Sequence, residues 1–429
     1  MDLHFHCSYY LICFTGTGNF GLWDQRAAII WVKENIDKFG GDPELITIFG
    51  ESAGAGSVSS QMMSPHNTGL FRRGIPESGS VFASWSWHLS ENKLSDYAKS
   101  IKEQNNCAVK ESVYSCLAHV PVKELFEKSQ SRSILTNYFH PVPDGDFFAS
   151  DITEESYNLS SRFDLLQGFN GQEGLSMIGF YMLMIGGSSK QDGLSFQQIR
   201  QLLTKSECAT ATPLSIELCV DFYVDLYDLE SATDDRERTE KYSYLLGELN
   251  FNADTVKHLT DHSNAATGTS TYGYHYTHRS KIPKLPYAPP DWLVKSADHF
   301  TEAPFVFGAW QMQNYNVLKE YMEESISIGD NFVLDFWKLA SESDVNLSNT
   351  VMTMWSNFAK SGNPNQPLAL PADVPEWPQF NTETNNFLDL NKDNISVITT
   401  PHKERLEKIQ SVLFEARRLQ VLADKAPVS

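Results

Sequence analysis

The stretch from Leu45 to Met63 constrains this chain most. A β-branched and aromatic run, Leu45 to Phe49, enters Gly50-Glu51-Ser52-Ala53-Gly54, and a small-residue stretch from Ala53 to Met63 follows. The run reads as a buried parallel strand and the stretch after it as a helix. A serine on so tight a strand-to-helix turn has a strained backbone, and its hydroxyl stands clear of the sheet as a nucleophile. Gly50 and Gly54 are expected to remove side chains where strand and helix converge. Ala53 offers a backbone N–H to a developing oxyanion, in the favourable field of a helix N-terminus.

The 429 residues suffice for a large core, and 41% hydrophobic and 12% aromatic content suits a globular enzyme. A net charge of -20 argues against nucleic acid and anionic membrane surfaces as partners. No run reaches the ~18 apolar residues of a membrane span. Tyr9 to Phe14 is apolar, but it is short for a signal peptide and no basic segment precedes it. None of the six cysteines has zinc-ligand spacing with histidine, so no metal is expected, and a serine nucleophile needs no cofactor. Sequons at Asn158, Asn346 and Asn394, with cysteines in close pairs, point to the secretory route and a glycoprotein.

Residues 1–18 form an atypical segment, and 19–429 read as one domain. A helix is expected from an N-cap at Asp24 through Ile29, Val32, Ile36 and Phe39, ending at Gly40-Gly41. Further strands are expected near 71–77, 165–170 and 271–277, with helices over most of 175–265 and an amphipathic helix over 404–422. His299 falls in a loop between Pro289-Pro290 and an apolar strand at 305–308. Strands alternating with helices give an α/β fold with a central, mostly parallel sheet.

An activated serine needs a base, and the base an orienting carboxylate. Glu173 and His299 lie on loops beyond strand ends, where open α/β sheets place their chemistry. Spacing alone leaves both open among twelve histidines and many acids. His275 and His278 read as structural, and Glu51 as a structural carboxylate turned away from Ser52.

The chain resembles the type-B carboxylesterase/cholinesterase family of α/β hydrolases. The resemblance rests on Gly18-Asn19-Phe20-Gly21-Leu22-Trp23-Asp24-Gln25-Arg26, Phe39-Gly40-Gly41-Asp42-Pro43, Phe49-Gly50-Glu51-Ser52-Ala53-Gly54, Ser78-Gly79-Ser80, Gln172-Glu173-Gly174, Ala297-Asp298-His299, Phe305-Val306-Phe307-Gly308 and Trp355 to Pro364. It implies Ser52 as nucleophile, Glu173 as acid, His299 as base, the Ala53 N–H as an oxyanion donor, Trp85 in the acyl pocket and a Cys107–Cys116 disulfide. The implied activity is hydrolysis of small or medium apolar esters through an acyl-enzyme, by a chain that is free to form a homo-oligomer.

The chain departs from the family pattern in three places. No His-Gly-Gly-Gly-type loop, which in the family supplies two oxyanion donors, occurs among the 51 residues before Ser52. The family's first strands are expected to be missing with it, as in an N-terminally truncated member. Glu77 stands where glutamine is usual, and Phe300 where glycine or alanine is common. The alternative to an esterase is therefore an impaired or non-catalytic cholinesterase-like binding or adhesion protein, since the family includes such members.

Overall fold

The computed structural model describes residues 18–83, 85–86, 102–108, 113–121, 123–124, 141–148, 158–185, 189–208, 213–279, 288–308 and 340–424. Residues 1–17 of the atypical segment lie outside them. The chain divides into two compact units. The first comprises residues up to Asp164 with Asn264–Thr269 and the end from Glu407; the second comprises Leu165–Ser263 and Ser270–Leu406.

In the first unit, α1 (Phe20–Asn35) leads through short 3-10 turns at Ile36–Phe39 and Pro43–Leu45 into β1 (Thr47–Glu51), α2 (Ala53–Met63) and β2 (Arg73–Glu77). β1 and β2 run parallel, with Thr47 opposite Arg73 and Glu51 opposite Glu77. The helix α2 is buried from Ala55 to Met63, although three of those residues are serines. Their hydroxyls donate back along the helix, Ser57 to the Ala53 carbonyl (3.0 Å), Ser59 to Ala55 (2.9 Å) and Ser60 to Gly56 (2.7 Å), so none of these three is buried bare. Small residues let α2 approach β2 closely: a Cβ on Gly74 would fall 2.4 Å from the Met62 sulfur. Leu22, Met63, Val81, Phe82, Phe147 and Phe148 form a core cluster beside it.

Three local expectations change in this unit. The helix begins at Phe20, and its cap position is Asn19, not Asp24. The buried Asn19 amide pairs with both backbone groups of Val142 (2.8 and 3.0 Å) instead of capping the helix. β1 starts at Thr47 and is half-buried rather than buried, with Phe49 48% exposed. An apolar run does not reveal which of its two faces is covered. The helix itself stops at Asn35, and Phe39, in the following turn, is exposed.

In the second unit β3 (Asp164–Asn170, here from Leu165), β4 (Thr271–Tyr276) and β5 (Asn386–Leu390) are parallel, and β6 (Ser396–Thr399) is antiparallel to β5. Every residue of β3 is buried, as expected for a central strand of a mostly parallel sheet. The longer helices of this unit, among the described residues, are α3 (Leu175–Ile185), α4 (Phe196–Lys205), α5 (Pro213–Leu226), α6 (Asp235–Gly247), α7 (Ala253–Ala265, which ends past the unit boundary) and α8 (Glu342–Ser361). Between α6 and α7 a π-helical turn, Glu248–Asn252, widens the backbone. Helix α9 (Lys403–Asp424) begins in this unit, with Leu406 and Ile409 buried. Residues 303–306 form a helical turn and not the expected strand, because Pro304 has no N–H for a ladder but fits a helical first turn. Disulfides close Cys107–Cys116 and Cys208–Cys219. Among the described residues no helix is long and apolar enough to cross a membrane.

Beside the second disulfide, Glu207 meets the hydroxyls of Ser206 and Tyr181 and lies close to Tyr242. Desolvation outweighs these hydrogen bonds and pushes its carboxyl up to about 7. A carboxyl raised in the fold from ~4.3 in the unfolded chain favours the folded state at low pH. That contribution disappears as pH rises from about 4 to 7. Glu207→Gln, which cannot ionise, should therefore gain melting temperature over the native chain at pH 8 and much less at pH 5. Thermal melts at both values check this, and an equal difference at both would refute it.

Candidate active site

Ser52 occupies the turn between β1 and α2 with φ 59° and ψ -118°, a strained conformation for a residue with a side chain. Its N–H donates to the Glu77 carbonyl (2.9 Å), and its carbonyl accepts from the Gly56 N–H (3.0 Å), so the turn is pinned on both sides. A Cβ on Gly50 would fall 2.8 Å from the Gly54 backbone, so glycine is required there. The expectation for Gly54 does not hold: a Cβ at Gly54 would meet nothing within 4 Å. It is the backbone of Gly54, not its missing side chain, that the turn needs. Ala53 is exposed at the first position of α2, where a backbone N–H has no acceptor within the helix. The Trp85 ring lies against the turn, since a Cβ on Gly79 would sit 2.9 Å from that ring and 3.1 Å from the Ser52 carbonyl oxygen.

The second unit brings Glu173 and His299 together. Glu173 follows the buried end of β3 and is itself 1% exposed. Its Oε2 is 2.7 Å from His299 Nδ1, and its Oε1 accepts the Asn170 N–H at 2.6 Å. A proton on Nδ1 shared with the carboxylate leaves Nε2 as the basic nitrogen. The Phe251 ring, carried by the π-helical turn, lies against the imidazole with centroids 4.4 Å apart and planes tilted by 32°.

Close packing fixes the loops that carry the pair. A Cβ on Gly174 would strike the Ser243 carbonyl at 2.1 Å, and one on Gly247 would lie 3.0 Å from the Glu173 Cβ, so α6 presses directly on the acid's backbone. The Gln172 amide reads the backbone of the His299 loop: it donates to the Leu293 carbonyl and accepts from the Lys295 and Ser296 N–H groups. Asp298 holds the other side. It accepts from the Ser176 N–H and hydroxyl at the start of α3 and from the His299 N–H. Desolvation raises its carboxyl to about 7 against the pull of those donors. Asn170 and Phe251 escaped sequence reasoning as site residues, although a polar residue ending an otherwise apolar strand was a visible signal for Asn170. His278 is structural as expected, bonded to Asp344 at 2.6 Å beneath the start of α8.

The Carboxylesterase family model matches residues 14–409. The chain belongs to the carboxylesterase family. It is 32% identical over 409 residues to a bile salt-activated lipase of Rattus norvegicus, covering 93% of this chain and 60% of the relative. It is also 32% identical over 393 residues to neuroligin-3 of Mus musculus, covering 86% of this chain and 41% of that protein. Neuroligin-2 of Homo sapiens is 29% identical over 402 residues, 87% of this chain and 42% of the relative. The chain thus spans about 60% or less of the length of these relatives. Carboxylesterases have the α/β-hydrolase fold, which agrees with the parallel strands and covering helices of each unit.

Phe300, the residue after the histidine, has φ 72°, the left-handed region that favours glycine. Its ring is 55% exposed, so the strain is offset by little burial. Phe300→Gly should stabilise the chain by about 1 kcal/mol, read by chemical denaturation; a destabilised variant would show that the ring has a packing role. At the serine turn, Gly50→Ala should cost about 2 kcal/mol through overpacking. Gly54→Ala should be neutral or stabilising by up to ~1 kcal/mol in its helix. Equal effects of the two alanines in thermal melts would contradict the asymmetry.

Proposed function

We propose that this carboxylesterase-family chain is a serine ester hydrolase in which Ser52, His299 and Glu173 form the catalytic triad. The observation that carries the reading is the Glu173–His299 pair at 2.7 Å, with Glu173 buried and fixed by a backbone N–H. The strained Ser52 turn, with a helix N-terminus behind it, supports the serine as nucleophile.

Ser52 Oγ attacks the ester carbonyl while His299 Nε2 takes its proton. The Ala53 N–H faces the developing oxyanion. The C–O bond breaks, the alcohol leaves with the proton from His299, and the acyl group remains on Ser52. Water then attacks the acyl carbon, gives its proton to the same nitrogen, and releases the acid. Glu173 holds the imidazole tautomer and balances the imidazolium formed in each half. Trp85, packed against the turn, suits an apolar acyl group. The Cys107–Cys116 and Cys208–Cys219 disulfides, with exposed sequon asparagines at 158, 346 and 394, support a glycosylated protein of the secretory route.

A second reading is a non-catalytic binding protein of the same fold. It is favoured by the likeness to neuroligin-2 and neuroligin-3, which stands beside the likeness to a bile salt-activated lipase.

Labelling with a fluorophosphonate probe, with mass mapping of the adduct, separates the two. Hydrolase function predicts stoichiometric labelling at Ser52, abolished in Ser52→Ala and reduced at least ~10³-fold in rate in His299→Ala. A folded chain that does not label would support the binding protein.

A further inference from the structure

Glu302 lies three residues beyond His299 and is 1% exposed. The Asn170 side-chain N–H donates to Glu302 Oε2, and the same amide nitrogen donates to the Asp298 carbonyl at 2.8 Å. Since the Asn170 backbone N–H donates to Glu173, one residue at the end of β3 holds three things at once: the acid, the backbone before the base, and a second carboxyl group. A carboxyl here does more than fill space. Alanine would leave the buried Asn170 amide short of an acceptor, and glutamine would keep the acceptor while removing the charge.

We propose that Glu302 is a positioning residue for the hydrolysis assigned above. It ties the Glu173 and His299 loops together through Asn170 and, when ionised, strengthens the basicity of His299. This rests on the triad reading for its catalytic consequence but not for its effect on the imidazole. Glu302 does not touch the reacting atoms in this scheme and acts through Asn170 and through its charge. The ionisable groups facing it are Glu173 on the β3 loop, His299 and Asp298 on its own loop, and the buried Tyr276 hydroxyl at the end of β4. Desolvation first, and the Glu173 charge second, raise its carboxyl to about 7. Below that value it is neutral and gives His299 a hydrogen-bonded scaffold only. Above it, its negative charge favours the imidazolium that forms during each proton transfer.

The test uses the full chain with ¹⁵N-labelled histidine, the His299 ring signals being assigned by their loss in His299→Gln. Glu302→Gln should lower the His299 titration midpoint by roughly half a pH unit or more, a threefold or larger fall in its protonation constant. A midpoint unchanged within about 0.1 unit, in a variant with native circular dichroism, overturns the proposal. The rate of fluorophosphonate labelling gives the second readout. Glu302→Ala should slow Ser52 labelling about tenfold or more, and Glu302→Gln should restore it to within about threefold of the native chain. Equal rates for native, alanine and glutamine chains also overturn it. If the native chain does not label at all, the triad reading fails, and the imidazole midpoint still decides the role of Glu302.

Discussion

A carboxylate without water must find donors or take up a proton, and much of the second unit is arranged around that constraint. Glu173 meets it with two donors, the Asn170 backbone N–H and the His299 ring. Each donor needs its own loop held within a few tenths of an ångström. Gly174 and Gly247 let α6 approach the acid's backbone, and Gln172 and Asp298 fasten the histidine's loop on both sides. These contacts are small individually, yet removing one loosens the geometry on which the others depend.

Asp298, Glu302 and Glu207 meet the same constraint the other way. Desolvation dominates at each, and each is pushed up to about 7. Glu248 shows the contrast, since Arg405 grips both of its oxygens and the Tyr227 hydroxyl donates at 2.5 Å. One unit thus holds carboxyls gripped by close donors beside carboxyls that burial pushes toward neutrality. The second kind gather beside His299 and beside a disulfide.

Much of this was legible in the sequence. The strand–turn–helix around Ser52 follows from apolar run, glycine spacing and small residues, and α2 begins and ends where the residues say. Glu173 and His299 are different, because local spacing cannot choose them from the many acids and twelve histidines. Only the family pattern pointed to them. The shell around them was not legible at all: Phe251 arrives through a π-helical turn with no periodic signature, and Glu302 looks like any acid near a helix start. The local errors share a cause. Asn19 and Phe49 depend on what packs beside them from elsewhere in the chain, and Pro304 was outweighed by the apolar run that follows it.

Glu173 and His299 lie 126 residues apart along the chain. Bringing such distant points together costs about 4 kcal/mol of chain entropy, which only the assembled strands β3 and β4 can offset. A contact of that range forms late in folding, after the local helices. A nascent or partly unfolded chain therefore carries Glu173 and His299 apart, each open to water. The same long-range contact that makes the pair hard to read from sequence also makes it a property of the finished fold alone.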